Sequence, residues 1–135
     1  MEGNRVFFTH CSAQKNDSLR DSGRAVAPDE LYTSQRVQAF MDRCKAKKVR
    51  WAIFSDKYGM WFPEVRHPWY EFSPDEALPQ FPDLLADFDE KMKGVELIYF
   101  CPGVGGPRLH GLYRGLVRQS RWKDRIKTIS FLDIG

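Results

Sequence analysis

RVFFTHCSAQK, residues 5 to 15, carries the clearest structural pattern in the chain. Its first part, Val6–Thr9, is apolar, aromatic and β-branched, which predicts a strand. A continuous apolar run is typical of a strand buried on both faces of a parallel sheet. The strand ends in His10, and a nucleophile, a hydroxyl group and a cation follow, namely Cys11, Ser12 and Lys15. We therefore expect the end of this strand to form the floor of a functional site.

Helical and strand-like segments alternate along the rest of the chain. Further strands are predicted at 49–54, 95–101 and 127–134. Helices are predicted from Ser34 to about Lys47, from Pro82 to Gly94 and from Pro107 onward, on their apolar spacing and end signals. This alternation predicts βαβ units. We expect one α/β domain over residues 1–135, with three α/β/α layers and a central four-stranded, mainly parallel, Rossmann-like sheet.

Composition limits the class of protein. The 135 residues are 42% hydrophobic and 29% charged, which argues against a disordered chain. No apolar run approaches the ~20 residues of a membrane helix, and the N-terminus lacks the pattern of a signal peptide. The three cysteines are spaced unlike a zinc site and are expected to be reduced thiols. We therefore expect a cytoplasmic protein without a metal or other cofactor, and the oligomeric state stays open.

Three of the predicted strands end in unusual polar or glycine-rich turns. The first ends at Cys11, the second in Ser55–Gly59 and the third in Gly103–Arg108. In open parallel sheets, ligands bind at the carboxyl ends of the strands. We therefore expect the three turns to share one site.

Cys11 is the candidate nucleophile. A nearby cation lowers the pKa of a thiol and makes it reactive, and Lys15 and His10 are close in sequence. The alternative is that Cys11 is a small buried residue, as free cysteines often are. Cys44 and Cys101 lie on apolar faces and are interpreted as core residues.

The other two turns offer candidate ligand contacts. Lys57 can meet a phosphate or carboxylate as a second catalytic cation, beside the candidate ligand contacts Ser55, Tyr58 and Gly59. The third turn, Gly103–Arg108, can hold an anion on backbone N–H groups, with Gly103, Gly105 and Arg108 as candidate contacts. It matches neither the Walker nor the dinucleotide-binding pattern. In both places a purely structural turn is the alternative.

Residues 60–80 are rich in aromatic residues and proline, and we interpret them as an irregular flap. Within the flap, Tyr70 can stack on a base and Glu71 can accept hydrogen bonds from a base or ribose. The alternative is that the rings only pack the flap onto the core.

Basic residues are concentrated near the C-terminus, although the net charge is only +3. The last 28 residues contain Arg108, Arg114, Arg118, Arg121, Lys123, Arg125 and Lys127. These form either a solvated helical face or a face that contacts phosphates.

Four short motifs together resemble a family of small prokaryotic and phage domains of unknown function. They are Cys11-Ser12-Ala13-Gln14-Lys15, Leu31-Tyr32-Thr33-Ser34, Ser55-Asp56-Lys57-Tyr58-Gly59 and Pro68-Trp69-Tyr70-Glu71. The first also resembles the Cys-x3-Lys signature of archaeosine synthase and domains associated with tRNA-guanine transglycosylase, although Asn16-Asp17 departs from its Pro-Tyr continuation. That resemblance implies a uracil-DNA-glycosylase-like fold with four parallel strands, and Cys11 and Lys15 as the reacting pair.

These observations lead to a hypothesis about function. We expect an enzyme that acts on a nucleobase, nucleoside or nucleotide, free or in nucleic acid, by group transfer or N-glycosidic chemistry. The alternatives are a non-catalytic nucleotide or nucleic-acid-binding module, and an accessory domain whose aromatic segment 61–72 binds a partner protein.

Overall fold

A computed structural model of the chain describes residues 4–103 and 108–135. Its strands are β1 (Arg5–His10), β2 (Ala25–Val26), β3 (Trp51–Ser55), β4 (Gly59–Trp61), β5 (His67–Pro68), β6 (Leu97–Phe100) and β7 (Ile126–Thr128). Its α-helices are α1 (Pro28–Leu31), α2 (Gln35–Lys47), α3 (Pro74–Ala77), α4 (Phe81–Lys91) and α5 (Gly111–Gln119). In this part of the chain, no helix has the length and hydrophobicity needed to cross a bilayer.

The main sheet has five strands in the order β4-β3-β1-β6-β7. β1 pairs in parallel with β3 and β6, and β6 pairs in parallel with β7. β4 is the antiparallel edge strand next to β3, while β2 and β5 form a separate two-stranded sheet. The fold is therefore mixed α/β with a mainly parallel sheet, as predicted.

β1 is the middle strand of the main sheet, and its side chains from Val6 to Thr9 are all buried. Phe8 and Phe54 contact the ring of Phe88 in α4, and Phe54 also contacts Tyr113 in α5. Thr9 accepts a hydrogen bond from Arg36 in α2 at 2.7 Å. Because neighbouring strand residues point to opposite faces, these contacts put α2 on the face of β1 opposite to α4.

The four-stranded sheet predicted from the sequence is wrong in two details. A fifth strand, β4, continues the chain after a short turn, because Gly59 adopts a φ of +76° there. The last predicted strand, 127–134, is only three residues long, and a 3₁₀ turn follows at Phe131–Asp133. The predicted helix at Ser34–Lys47 is confirmed, with the Ser34 hydroxyl accepting from the Val37 N–H.

The aromatic segment is better ordered than an irregular flap. It contributes β4, β5 and α3, and its largest rings, Trp61 and Tyr70, are only 1% and 3% exposed. Phe62, Trp69 and Phe72 pack against the same core. The rings therefore do not form the exposed surface expected of a partner-binding segment.

Candidate functional site

The carboxyl ends of β1 and β3 meet at Cys11. The Cys11 N–H donates to the Phe54 carbonyl oxygen at 3.0 Å, which continues the ladder by one residue. The thiol then lies against the start of the next turn, where the Asp56 N–H donates to Sγ at 3.4 Å. From α5, the Tyr113 hydroxyl lies 3.4 Å from the same sulfur. Parallel pairing thus joins two of the three predicted turns.

Hydroxyl groups extend this meeting point into a network. The Tyr70 and Tyr32 hydroxyl oxygens are 2.6 Å apart, and the Ser55 hydroxyl donates to Tyr70 at 3.2 Å. Ser55 also accepts from the N–H groups of Lys57 and Tyr58, which fixes the turn. We call the polar cluster the set Cys11, Tyr32, Ser55, Asp56, Tyr70 and Tyr113.

Lys15 lies at the edge of the polar cluster. Its Nζ is 4.3 Å from the centroid of the Tyr70 ring, a distance at which an ammonium group is attracted to the ring face. An isolated bridge between Lys15 and Tyr32 holds the backbone of this segment in place. Lys15 therefore contacts the polar cluster through the Tyr70 ring, and its predicted catalytic role beside Cys11 stays a prediction.

Asp56 is the exceptional member of the polar cluster. Asp56 is only 3% exposed, and its Oδ1 atom has no hydrogen-bond partner among the described residues. Burial raises the pKa of this carboxyl group, against hydrogen bonding to Tyr70 and Cys11 and the charge of Lys15, which lower it. Buried polar atoms in folded proteins almost always have a partner, so an unpartnered carboxylate oxygen calls for a functional explanation.

The expected lowering of the Cys11 pKa is wrong. Burial, together with the Asp56 charge, raises the pKa of the thiol to about 11. His10 adds no positive charge, because burial and the nearby Arg36 guanidinium lower the pKa of His10 to about 4. Cys11 is therefore a neutral thiol at pH 7, available as a weak donor or acceptor rather than as a preformed thiolate.

His10 and Arg36 brace the backbone beside the polar cluster. The Gly103 N–H donates to His10 Nε2 at 3.2 Å, and His10 Nδ1 lies 3.1 Å from the Cys11 carbonyl oxygen and 3.3 Å from Arg36 Nη2. Arg36 donates to the carbonyl oxygens of His10 and Cys11 at 2.8 and 3.1 Å. The ring of His10 stacks on Tyr113, with 4.6 Å between centroids.

Several predicted contacts lie outside the polar cluster. Ser12 is half-buried and accepts from the Gln14 N–H, while Lys57 and Glu71 are exposed. Tyr58 stacks on His67 at 3.9 Å between centroids, and its hydroxyl donates to the Pro68 carbonyl oxygen.

The remaining predicted contacts are the glycines and one arginine. Gly59 lies against α4, where an added Cβ would be 2.2 Å from Asp87 Oδ2. Gly103 contacts His10, and Arg108 is exposed. Gly105 lies outside the described residues, so its role stays a prediction.

Sequence reasoning left four residues out of the site: Tyr32, Arg36, Asp56 and Tyr113. Asp56 and Tyr32 lie within quoted motifs, so motif membership was the available signal. Tyr113 follows the apolar spacing of α5, so nothing in the local sequence marks the hydroxyl group that reaches Cys11. Arg36 gave no signal, because a cation in the first turn of a helix usually faces solvent.

Comparison with known proteins does not identify the polar cluster. No family model, curated protein or solved structure is significantly similar to the chain. Within residues 4–103 and 108–135, no group of three histidine, cysteine or acidic residues is arranged to hold a metal. Cys11, Cys44 and Cys101 are all buried free thiols.

Proposed function

We propose that this chain is an enzyme that binds a nucleobase, nucleoside or nucleotide at the polar cluster and acts on it by group transfer or N-glycosidic chemistry. The observation that carries the proposal is the buried Asp56 carboxylate, whose Oδ1 lacks a partner among the described residues. A ring N–H or exocyclic amino group of a base would satisfy that oxygen. The proposal includes a three-layer α/β/α architecture, of Rossmann-like or uracil-DNA-glycosylase-like kind, and a cytoplasmic location.

Asp56 would serve as the general acid or base. A carboxyl group whose pKa is raised by burial exchanges protons closer to neutral pH than an ordinary aspartate does. Protonated Asp56 can donate to a leaving base, and ionised Asp56 can accept a proton from an attacking group. Lys15, at the edge of the polar cluster, would then meet the negative charge of a phosphate or of the departing base.

Cys11 has a different role in this proposal from that of a ready nucleophile. With a pKa of about 11, its thiol is ionised in roughly 1 of 10⁴ molecules at pH 7. A covalent mechanism would require a base to remove the thiol proton once the ligand is bound. Hydrogen bonding from the neutral thiol to the ligand needs no such step and is the role that the geometry favours.

The experiment compares Asp56→Asn with Asp83→Asn, an exposed aspartate in α4. Thermal shift with a panel of bases, nucleosides and nucleotides should find at least one that stabilises the wild type and Asp83→Asn but not Asp56→Asn. Chromatography of the same mixtures then tests for a released base or modified product. If no base-containing compound stabilises the wild type, or if Asp56→Asn responds equally, the proposal is wrong.

The second candidate is a nucleic-acid-binding module, favoured by a basic surface that begins in the last turn of α5 and continues after it. Arg118, Arg121, Lys123, Arg125 and Lys127 are all exposed. Arg121 and Arg125 lie 4.9 and 4.6 Å from the Trp122 ring centroid, so the ring is already covered by guanidinium groups. Such a surface suits phosphates better than base stacking. Oligonucleotide affinity that falls steeply with salt, and that Arg118→Gln and Lys127→Gln weaken, would support this module.

A further inference from the structure

A cavity of about 150 Å³ lies on the other side of the β1 carboxyl end, between α2 and the chain that follows β6. Thr9 and Arg36 supply its polar lining, and Ala39, Phe40, Cys101, Pro102 and Phe131 its apolar lining. A cavity of this volume holds one benzene-sized ring. The apolar lining and the size together favour a single flat ring as the occupant.

Arg36 brings an unbalanced charge to this cavity. It is half-buried, and it donates to the Thr9 hydroxyl and to the carbonyl oxygens of His10 and Cys11. All three acceptors are neutral, and no ion pair with Arg36 occurs among the described residues. Of the five N–H donors of a guanidinium, Nε–H and one Nη1 N–H remain. A half-buried cation without a counter-charge is stabilised by an anionic ligand.

Gly103 keeps the Arg36 side of the cavity clear. A Cβ at this position would lie 2.1 Å from Arg36 Cδ and 2.6 Å from its Nε. Any other residue would therefore displace the guanidinium from its present place. Because residue 103 is a glycine, the Arg36 guanidinium can keep its position and the space beside it stays open.

We infer that this cavity binds a small aromatic carboxylate, with its ring between Phe40 and Phe131 and its carboxylate at Arg36. This site is separate from the base-binding role proposed for the polar cluster and does not depend on it. The two sites are adjacent through Cys11, whose carbonyl oxygen meets Arg36 and whose sulfur meets Tyr113.

The test is calorimetric titration of the whole chain with benzoate. We expect saturable binding with a Kd of about 1 mM, the order typical of so small a ligand. Benzyl alcohol, which keeps the ring without the charge, and acetate, which keeps the charge without the ring, should each bind at least tenfold more weakly. Equal binding of benzyl alcohol, or of inorganic phosphate, would overturn the assignment.

Two leucine substitutions on α2 locate the site without disturbing Arg36. Both alanines are exposed, but Ala39→Leu adds a larger side chain to the cavity lining, whereas Ala46→Leu adds the same group outside it. Both substitutions suit a helix, so both variants should fold. Benzoate affinity should fall at least tenfold in Ala39→Leu and stay unchanged in Ala46→Leu. Unchanged affinity in Ala39→Leu would show that benzoate binds elsewhere and would refute the proposal.

Discussion

Two aspartates near the β3–β4 hairpin, Asp87 and Asp56, differ in their burial and in their hydrogen bonding. Asp87 accepts from the Met60 N–H at 2.9 Å and pairs with Lys91 at 3.0 Å, and it is partly exposed. Asp56 is almost fully buried, and one of its oxygens has no partner among the described residues. A carboxylate with full bonding stabilises the structure, whereas one buried without it costs stability. The comparison marks Asp87 as a structural group, and it is the basis for assigning Asp56 to a ligand in the proposed function.

Cysteine alkylation probes the polar cluster with the largest expected effect. Because the pKa of Cys11 is about 11, iodoacetamide at pH 8 should label Cys11 at least ~100-fold more slowly than a free thiol. Asp56→Asn should speed this labelling several-fold, because the Asp56 charge contributes to the raised pKa. Asp87→Asn should leave the rate unchanged. Mass spectrometry of the labelled peptides gives the rates, and fast labelling of Cys11 in the folded wild type would contradict this description.

A glycine substitution tests the Asp87 side of the comparison. Gly59→Ala combines a φ of +76° with a Cβ 2.2 Å from Asp87 Oδ2, so we expect a loss of about 3 kcal/mol in urea unfolding. Gly94→Ala is the matched control, because Gly94 has a φ of +85° but open space around its Cβ position. The control should lose only about 1 kcal/mol. Equal losses would show that the contact with Asp87 is unimportant.

Acid should destabilise the fold through His10. Its pKa falls from 6.5 in the unfolded chain to about 4 in the folded protein, so the unfolded chain binds the proton first as the pH falls. Stability linked to His10 is therefore present above pH 6.5 and is lost between pH 6.5 and 4, to a limit on the order of 3 kcal/mol.

The measurement is the unfolding free energy of wild type and His10→Phe from pH 8 to 4. Phenylalanine keeps a ring against Tyr113 but cannot titrate. The wild type should lose stability relative to His10→Phe as the pH falls below 6.5. Parallel curves would show that His10 is not held neutral by the fold. The raised pKa of Asp56 acts in the opposite direction in both proteins and cancels in this difference.

Two tyrosine substitutions distinguish the polar cluster from the neighbouring aromatic stack. Tyr70→Phe removes a buried hydroxyl that bonds to Tyr32 and Ser55, so it should cost about 1–2 kcal/mol. Tyr58→Phe removes a hydroxyl whose bond to the Pro68 carbonyl oxygen is exposed, so it should cost less than about 0.5 kcal/mol. Thermal or urea unfolding measures both. Similar costs would mean that the hydroxyl network adds nothing to stability.

The main parallel framework was predictable because long apolar runs identify buried strands. Val6–Thr9 marked β1, and the apolar stripe after Ser34 marked α2. β4 was not predicted because a strand of only three residues, Gly59–Trp61, is too short to show an alternation of apolar and polar residues. The prediction of one strand over 127–134 was wrong because its apolar residues are divided between a short strand and a 3₁₀ turn.

The meeting of the strand ends at the candidate site was predictable, but the pKa values and hydrogen bonding there were not. Parallel pairing brings Cys11 to Asp56, as expected for strand ends that lie side by side. The pKa of Cys11 depends instead on burial and on the Asp56 charge, and one of the groups that encloses the thiol, Tyr113, is about a hundred residues away in sequence. The unpartnered oxygen of Asp56 likewise depends on how distant side chains pack, which local sequence does not determine.

The central claim is that Asp56 serves a ligand rather than the fold, and one measurement tests it directly. The unfolding free energy of Asp56→Asn at pH 7 is compared with that of the wild type, with Asp87→Asn as the reference. Removing a buried and poorly bonded charge should leave stability unchanged or raise it by about 1 kcal/mol, while Asp87→Asn should lower it by about 1 kcal/mol. A loss of 2 kcal/mol or more in Asp56→Asn would show that Asp56 is a structural group and would contradict the claim.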